Sequence, residues 1–384
     1  MKVARVATYA VDSGHAGWLF VKVESDEPTL HGWGEASLPF KINSVKAEVE
    51  VLADVIIGED AFRTEHLWQL MYRQHSRGGL ITSSAIAGID QALWDLKARA
   101  LGVPLYELLG GRVRERVRVY DHIETPLRAY DWDSPEGFAE AAGRSLADGF
   151  DAVKVYPVPS TRAHEGPEAL RWAESVLAAV REAVGDDADV IVDLHGRTSP
   201  ATAIQYARAF EPYHPLFLEE PCQPEDVEAI ARVARSTRIP IAVGERLATR
   251  WDFARVLEAH ACAVVQPDLS YCGGISEFRR IADLAQLHSA TVAPHNSAGP
   301  VATLHNVQAA SALPSLLLLE HVRLDVPWRD EIVTSSPDIR GGFARASDRP
   351  GIGADVREDI CLAHPYVHRP RSRSYAGDGS LLDE

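Results

Sequence analysis

The chain has 384 residues, of which 46% are hydrophobic and 24% charged, the balance of an ordinary globular protein. This length predicts two domains, or a barrel of about 250 residues with a further domain attached. A formal net charge of −16 disfavours sequence-independent binding to nucleic acid or to an anionic membrane, because the chain would repel their phosphates.

The first 112 residues are predicted to form an α+β domain. Alternating hydrophobicity predicts three antiparallel strands, and helical periodicity predicts three helices after them. The strands are placed at 2–11, 17–25 and 29–35, and the helices at 44–57, 62–74 and 83–101. The last helix is expected to end at Gly102, with Pro104 just beyond it.

From residue 117 onward, short runs rich in Val, Ile and Leu alternate with amphipathic, helix-like segments. The eight runs begin at residues 117, 152, 190, 216, 241, 263, 291 and 316. Ser134 and Ser276 are predicted to cap two of the helices between them, and Gly149 to close the first. Repeating strand–helix units predict a (β/α)8 barrel over 113–325. A doubly wound sheet is the alternative, although no GxGxxG motif follows an early strand.

Chemically capable residues stand at the C-terminal tips of six consecutive strands. They are Asp193 with His195, Glu219, Glu245, Asp268, His295 and Glu320, at intervals of 23 to 27 residues. Asp193 and His195 are expected to point the same way, because residues i and i+2 of a strand share a face. A barrel brings its strand tips together at one mouth, where the active sites of such barrels lie. Six tips in succession therefore predict a site.

Three of these tips, Asp193, Glu219 and Glu245, are predicted to hold Mg²⁺. Carboxylates without clustered Cys or His form the hard-oxygen site that this ion prefers. Without a cation the three acids would repel one another. Glu220 directly follows Glu219 and is expected to face the other way, which favours a structural pairing for it. Spacing alone leaves the choice between Glu219 and Glu220 open.

Two histidines of the same set predict acid and base chemistry. His295 follows Asp268 by one strand, and a carboxylate on one ring nitrogen would fix the tautomer and raise the basicity of the other nitrogen. His195 stands on the far side of the proposed metal cluster. Such a pair could take a proton from one carbon and give a proton to a leaving group.

The chain resembles the mandelate racemase subgroup of the enolase superfamily over its full length, and within that subgroup the galactonate dehydratases, which are acid-sugar dehydratases. The likeness is densest at 77–111, 192–200, 211–221, 244–253, 266–275 and 293–300. The resemblance implies an enolase-type modified TIM barrel with an N-terminal α+β capping domain. It also implies that the C-terminal segment, 326–384, packs back on the cap.

The same resemblance implies a Mg²⁺-dependent hydro-lyase that converts an aldonate similar to galactonate into the 2-keto-3-deoxy acid. The implied ligands of the ion are Asp193, Glu219 and Glu245, and the ion would stabilise the enediolate formed when the α-proton leaves.

Catalytic roles also follow from the resemblance. It implies that His295, paired with Asp268, is the base and that His195 is the acid. Glu320 matches a position that hydrogen-bonds the developing enediolate.

The second barrel strand departs from its counterparts in the family. Racemases of the subgroup carry Lys-x-Lys there, whereas this chain has Lys154 and then Tyr156, so a two-base racemisation loses a partner. Galactonate dehydratases have a small amide where Tyr156 stands. Lys154 and Tyr156 are therefore further candidate catalytic residues, and the loops 12–18 and 36–43 differ as well. These differences leave the identity of the sugar acid open.

Two alternatives to the dehydratase stay open. The first is a racemase or epimerase of an α-hydroxy acid that uses the two imidazoles from opposite faces. The second is a non-catalytic binding or regulatory homologue that keeps the site as a relic.

The four cysteines lie apart, without a CxxC pair or zinc spacing, and are expected to be reduced thiols. The N-terminus lacks the apolar core of a signal peptide, and no apolar run reaches the roughly 18 residues of a membrane span. We therefore expect a cytoplasmic protein whose partner is a small-molecule sugar acid, with no nucleic-acid or membrane partner. An even-numbered homo-oligomer is the default for such folds.

Overall fold

The N-terminal part of the chain forms a three-stranded antiparallel sheet covered by three helices. The computed structural model describes residues 1–74, 79–158 and 161–383. The sheet has the order β1 (Val3–Val11), β2 (Trp18–Ser25) and β3 (His31–Glu35), and the helices are α1 (Ile42–Ile56), α2 (Thr64–Gln74) and α3 (Leu80–Leu101). The predicted strands and helices are thus confirmed to within a few residues.

Helix α3 packs against β3 at unusually short range. A side chain at Gly34 would place its Cβ 2.1 Å from the carbonyl oxygen of Gly88 in α3, so only glycine fits there. The helix ends at Gly102, whose φ of 70° lies in the left-handed region that glycine adopts without strain. The predicted end of this helix is confirmed.

Eight parallel strands form the second part of the molecule. They are β4 (Val117–His122), β5 (Ala152–Val155), β6 (Asp189–Asp193), β7 (Phe217–Glu219), β8 (Ile241–Val243), β9 (Val264–Val265), β10 (Thr291–Val292) and β11 (Leu319–His321). Each of β4 to β9 pairs with the next, β11 pairs with β4, and a parallel bridge joins Val292 of β10 to Leu316, just before β11. The sheet therefore closes on itself, and the predicted barrel is confirmed.

A short helix, α4 (Leu105–Leu108), precedes β4. The helices that connect the strands on the outside of the barrel are α5 (Pro135–Ala147), α6 (Pro167–Val184), α7 (Pro200–Phe210), α8 (Val227–Ala234), α9 (Arg250–Glu258), α10 (Gly274–Leu287) and α11 (Pro300–Ser311). The last helix, α12 (Glu358–Ala363), lies beyond the barrel in the chain. Ser134 caps α5 as predicted, by accepting a hydrogen bond from Gly137 N. The prediction for Ser276 is wrong, because α10 begins at Gly274 and the Ser276 hydroxyl donates to Asp90 of the cap instead, at 2.6 Å.

The barrel interior is filled by one buried side chain from each strand or its flank. These are Tyr120, Ala152, Ile191, Phe217, Ala242, Val264, Ala293 and Leu318. Side chains two residues further along a strand share its inward face, so they lie one layer higher, toward the mouth. Six such positions are His122, Lys154, Asp193, Glu219, His295 and Glu320.

The C-terminal residues contact both parts of the molecule. The hairpin of β12 (Asp338–Arg340) and β13 (Phe343–Arg345) pairs antiparallel with β4. Beyond it, Lys22 of β2 lies 2.6 Å from Glu358, and His31 of β3 lies 2.9 Å from Asp355. The predicted domain boundaries stay a prediction. Among the described residues, no helix has both the length and the apolar character needed to cross a bilayer.

Candidate active site

Lys154 stands at the centre of a buried carboxylate cluster at the barrel mouth. Its Nζ lies 2.7 Å from Glu320 Oε1, 3.1 Å from Glu219 Oε1 and 3.5 Å from Asp193 Oδ2. All four side chains are fully or almost fully excluded from solvent. Burial alone would lower the pKa of Lys154, but Glu219 and Glu320 raise it well above its usual value. The cluster is therefore built around one ammonium group.

His195 reaches the cluster by a turn rather than by strand alternation. Strand β6 ends at Asp193, and His195 follows with a φ of 50°, in the left-handed region. Its backbone N–H donates to Asp193 Oδ1 at 2.7 Å, and its ring Nε2 lies 3.4 Å from Asp193 Oδ2. The prediction that the two side chains lie together is confirmed. Strand alternation is not the cause, because β6 ends before His195.

The other ring nitrogen of His195 identifies its tautomer. Arg197 Nη2 lies 2.9 Å from His195 Nδ1. A guanidinium can only donate, so Nδ1 must accept, and a neutral ring then carries its proton on Nε2. The N–H of His195 therefore points toward the cluster.

His295 has the opposite arrangement. Its Nδ1 lies 2.7 Å from Asp268 Oδ2, with the Tyr271 hydroxyl 2.9 Å from the same nitrogen. A carboxylate accepts, so Nδ1 donates, and in the neutral ring the lone pair is on Nε2. That nitrogen lies 3.4 Å from Glu245 Oε2. Burial alone would lower the pKa of His295, but Glu320, Glu245 and Asp268 raise it to about 10.

The acids at the mouth suit a divalent cation. Asp193 Oδ2 and Glu219 Oε2 are buried without a hydrogen-bond partner among the described residues. Burial, and then the charge of Asp193, raise the pKa of Glu219 well above its usual value. Ligand atoms of Asp193, His195 and Glu245 lie within 4.8 Å of one another. Mg²⁺ would coordinate such hard oxygen atoms, which repel one another and accept too few hydrogen bonds.

Glu220 is engaged elsewhere. It lies 3.1 Å from Arg246 Nε and is almost fully buried. This is the structural pairing that the sequence favours for Glu220, and it removes this residue from the cluster around Lys154.

Glu320 and Tyr156 complete the predicted set. Asn296 N donates to Glu320 Oε2 at 2.8 Å. Burial alone would raise the pKa of Glu320, but Lys154 and His295 lower it, so the group is a carboxylate and accepts hydrogen bonds. The Tyr156 ring lies 4.2 Å from the ring of His195.

Sequence reasoning missed several residues at this mouth. Arg197 and Tyr271 contact the two imidazoles, and His122 lies 4.8 Å from the Tyr156 ring, measured between centroids. The signal for His122 was present in "VYDH", since it stands two residues after the inward-facing Tyr120. Arg197 and Tyr271 carry no comparable signal, because they lie in loops.

Comparison with protein families assigns both parts of the chain. Residues 4–110 match the mandelate racemase / muconate lactonizing enzyme N-terminal domain, and residues 137–360 match the enolase C-terminal domain-like family. A D-galactonate dehydratase of Variovorax paradoxus is 40% identical over 393 residues, covering 100% of both chains. One of Ralstonia nicotianae is 39% identical, covering 94% of both chains.

Solved structures agree with this assignment. A mandelate racemase/muconate lactonizing enzyme from Jannaschia superposes with a TM-score of 0.90 at 32% identity, over 96% of this chain and 99% of the other. One from Sulfitobacter gives 0.90 at 34% identity, over 96% of both chains.

The curated relatives are hydro-lyases by name, and the prediction of an enzyme of that class is confirmed. The chain belongs to the mandelate racemase/muconate lactonizing enzyme family of the enolase superfamily.

Proposed function

We propose that this enzyme removes water from a sugar acid of the aldonate class and forms the 2-keto-3-deoxy acid. The observation that carries the proposal is the opposite polarity of the two imidazoles, since in their neutral forms one has a lone pair and the other an N–H toward the same mouth. An elimination needs both a base and an acid. Relatives named D-galactonate dehydratase support a sugar acid as the substrate.

His295 is the base in this proposal. Asp268 holds the Nδ1 proton at 2.7 Å, which leaves Nε2 free to take the α-proton from C2. The Asp268 carboxylate stabilises the imidazolium that results, as in other histidine–carboxylate pairs. The electron pair of the broken C–H bond then moves into the acid to give an enediolate.

His195 is the acid. Its Nε2–H, fixed by the Arg197 contact at Nδ1, gives its proton to the 3-hydroxyl as the C3–O bond breaks. The Arg197 guanidinium offsets the negative charge left on the ring, which regains its proton when His295 releases the one taken from C2. Water leaves with that proton. The enol that remains takes a proton at C3, loses the proton of its 2-hydroxyl and becomes the 2-keto-3-deoxy acid, so that the net change is the loss of one water molecule.

Asp193, Glu219 and Glu245 would hold a divalent cation, for which Mg²⁺ is the best match. One oxygen of Asp193 and one of Glu219 accept no hydrogen bond from the described residues, which supports this set. His195 is the poorer third ligand although its ring is close, because its Nε2 carries the proton. When bound, such a cation would bind the substrate carboxylate, neutralise negative charge on the enediolate, and offset the Glu245 charge that raises the His295 pKa.

Lys154 and Glu320 border the space where the substrate carboxylate would lie. Lys154 supplies a positive charge between Asp193, Glu219 and Glu320. Glu320 accepts hydrogen bonds, so its contact with an enediolate requires an oxygen that carries a proton. Tyr156 packs on the proposed acid and would limit which substrates can approach it.

The test is incubation of the purified enzyme with Mg²⁺ and a panel of aldonic and aldaric acids that includes D-galactonate. Semicarbazide detects the ketone that dehydration forms. We expect at least one aldonate to give a semicarbazide-reactive product. Deuterium uptake at C2 with no ketone from any acid would contradict the proposal and favour an epimerase.

A further inference from the structure

His122 is the last residue of β4, and its ring lies at the barrel mouth beside the proposed site. The ring is nearly perpendicular to that of Tyr156, with 4.8 Å between the centroids. Its Nδ1 lies 3.9 Å from Glu320 Oε1. Because Tyr156 also packs on His195, the ends of β4, β5 and β6 place three rings in a row.

Both ring nitrogens of His122 are buried and lack a hydrogen-bond partner within the described part of the chain. A neutral imidazole carries one donor and one acceptor in either tautomer. Native proteins pair nearly all such buried groups, and an exception calls for a reason such as a bound ligand. The fully buried His305 of α11 differs in that only its Nδ1 lacks a described partner, while its Nε2 lies 2.8 Å from the carbonyl oxygen of Trp33.

The surroundings of His122 suit a hydroxyl group. Burial, and then Lys154, lower the pKa of His122 to about 3, so the ring is neutral. Apart from its ion pair with Lys154, Glu320 Oε1 has no hydrogen-bond partner among the described residues. One hydroxyl can donate to a carboxylate and accept from an imidazole N–H, and two atoms 3.9 Å apart both lie within reach of one oxygen.

We propose that His122 is a substrate-binding residue that contacts one hydroxyl of the sugar acid and selects the configuration of the carbon that bears it. The inference rests on the proposed function, because it takes a polyhydroxylated acid as the ligand. A site built to hydrogen-bond a hydroxyl discriminates strongly against a substrate without it, since the protein group is then left unpaired.

The test compares the enzyme with its His122→Phe and His122→Asn variants on one aldonate and on deoxy analogues that each lack a single hydroxyl beyond C3. The quantity is kcat/KM for ketone formation. On the parent acid we expect a loss of about 10- to 100-fold in His122→Phe. On the one analogue that lacks the contacted hydroxyl, variant and wild type should be nearly equal. His122→Asn, which keeps a donor and an acceptor, should recover part of the loss.

Tyr120→Phe is the matched control. Its hydroxyl is also buried without a described partner, but it lies one layer below His122 on the same strand. We expect this variant to treat all the acids as the wild type does. Equal losses on every acid in both His122 variants would overturn the proposal and identify a purely structural role.

Binding separates this inference from the proposed function. Calorimetry with 3-deoxy aldonates, which lack the leaving hydroxyl, measures affinity without turnover. A wild-type enzyme that makes no ketone, but whose affinity for these acids falls in His122→Phe only when the contacted hydroxyl is present, would contradict the dehydration and support the His122 contact. If ketone forms but the affinities do not depend on residue 122, the result would support the dehydration and contradict the His122 contact.

Discussion

The two sides of the barrel mouth each present a histidine, but the partners of the Nδ1 atoms are opposite in kind. On the β9–β10 side, His295 donates to the Asp268 carboxylate at 2.7 Å. On the β4–β6 side, His195 accepts from the Arg197 guanidinium at 2.9 Å. In its neutral form, the same side chain thus offers a lone pair on one side of the mouth and a proton on the other.

This difference shows that the group in contact with Nδ1 decides whether the Nε2 atom of a neutral imidazole accepts or donates a proton. The side chains in front of the two rings are similar, since both Nε2 atoms lie 3.4 Å from a carboxylate. What distinguishes the two sides is the group at Nδ1, which is a hydrogen-bond acceptor for His295 and a hydrogen-bond donor for His195.

Replacement of either histidine should have the largest effect. We expect His295→Asn and His195→Asn each to lower kcat for dehydration by about 10³- to 10⁴-fold, because each removes a positioned proton carrier. The two variants should differ in solvent deuterium exchange at C2, which His295→Asn loses and His195→Asn retains. NMR of the recovered acid measures this exchange. Retention in His295→Asn and loss in His195→Asn would reverse the assigned roles.

Replacement of the residues that contact the Nδ1 atoms should lower kcat by a smaller factor. Asp268→Asn should lower kcat by about 10²- to 10³-fold, because the amide can donate to Nδ1 and impose the wrong tautomer. Arg197→Met should lower it by about 10- to 100-fold, since His195 Nδ1 loses its donor but the ring remains. The kcat values of both variants, with C2 exchange as the second measurement, check this. Unchanged C2 exchange in Asp268→Asn would contradict the role of Asp268.

Substitution of the adjacent residues Glu219 and Glu220 tests which of the two glutamates binds Mg²⁺. Glu219→Gln should weaken Mg²⁺ binding by about tenfold or more, because it removes a charged oxygen ligand. Glu220→Gln should change the affinity much less, since Glu220 pairs with Arg246. Calorimetric titration with Mg²⁺, below the unfolding temperature of each variant, gives both constants. The reverse order would refute the choice of Glu219.

The smallest effect concerns the support that the cap gives to the His295 side. Glu35 of β3 is fully buried and accepts from Gly299 N at 2.6 Å and Ala302 N at 2.7 Å, at the start of α11. Burial raises its pKa to about 7. Since the folded protein then binds a proton that the unfolded chain releases, Glu35 makes stability fall as the pH rises from about 4.5 to 7.

Glu35→Gln should remove this contribution and make the fall in the free energy of unfolding between pH 5 and 7 shallower. Urea unfolding at several pH values measures it, with Glu258→Gln on the exposed face of α9 as the control. An identical pH dependence in wild type and Glu35→Gln would contradict the prediction.

The sequence predicted the barrel because strand periodicity and alternation are local properties. The eight strand runs and the tip residues could be read in order, and even His122 was accessible from its position two residues after Tyr120. The capping domain followed from the same periodicities, with errors of a few residues at its ends.

The bounds of α10 could not be predicted in this way. Ser276 resembles an N-cap in the sequence, but it lies inside the helix. Its hydroxyl donates a hydrogen bond to Asp90, which stands 186 residues earlier in the chain. A distant buried carboxylate that needs donors outweighed a local preference.

By itself, then, the sequence determined the fold and most of the strand-tip side chains that face the mouth. Only the tertiary structure decided the tautomers of His195 and His295, the position of Lys154 among three carboxylates, and the lack of partners around His122. The physical reason is that the direction of a side chain within a strand follows from its position in the local sequence. The hydrogen-bond partner of a buried polar group depends on which distant segments, or which turn, packing brings within about 3 Å.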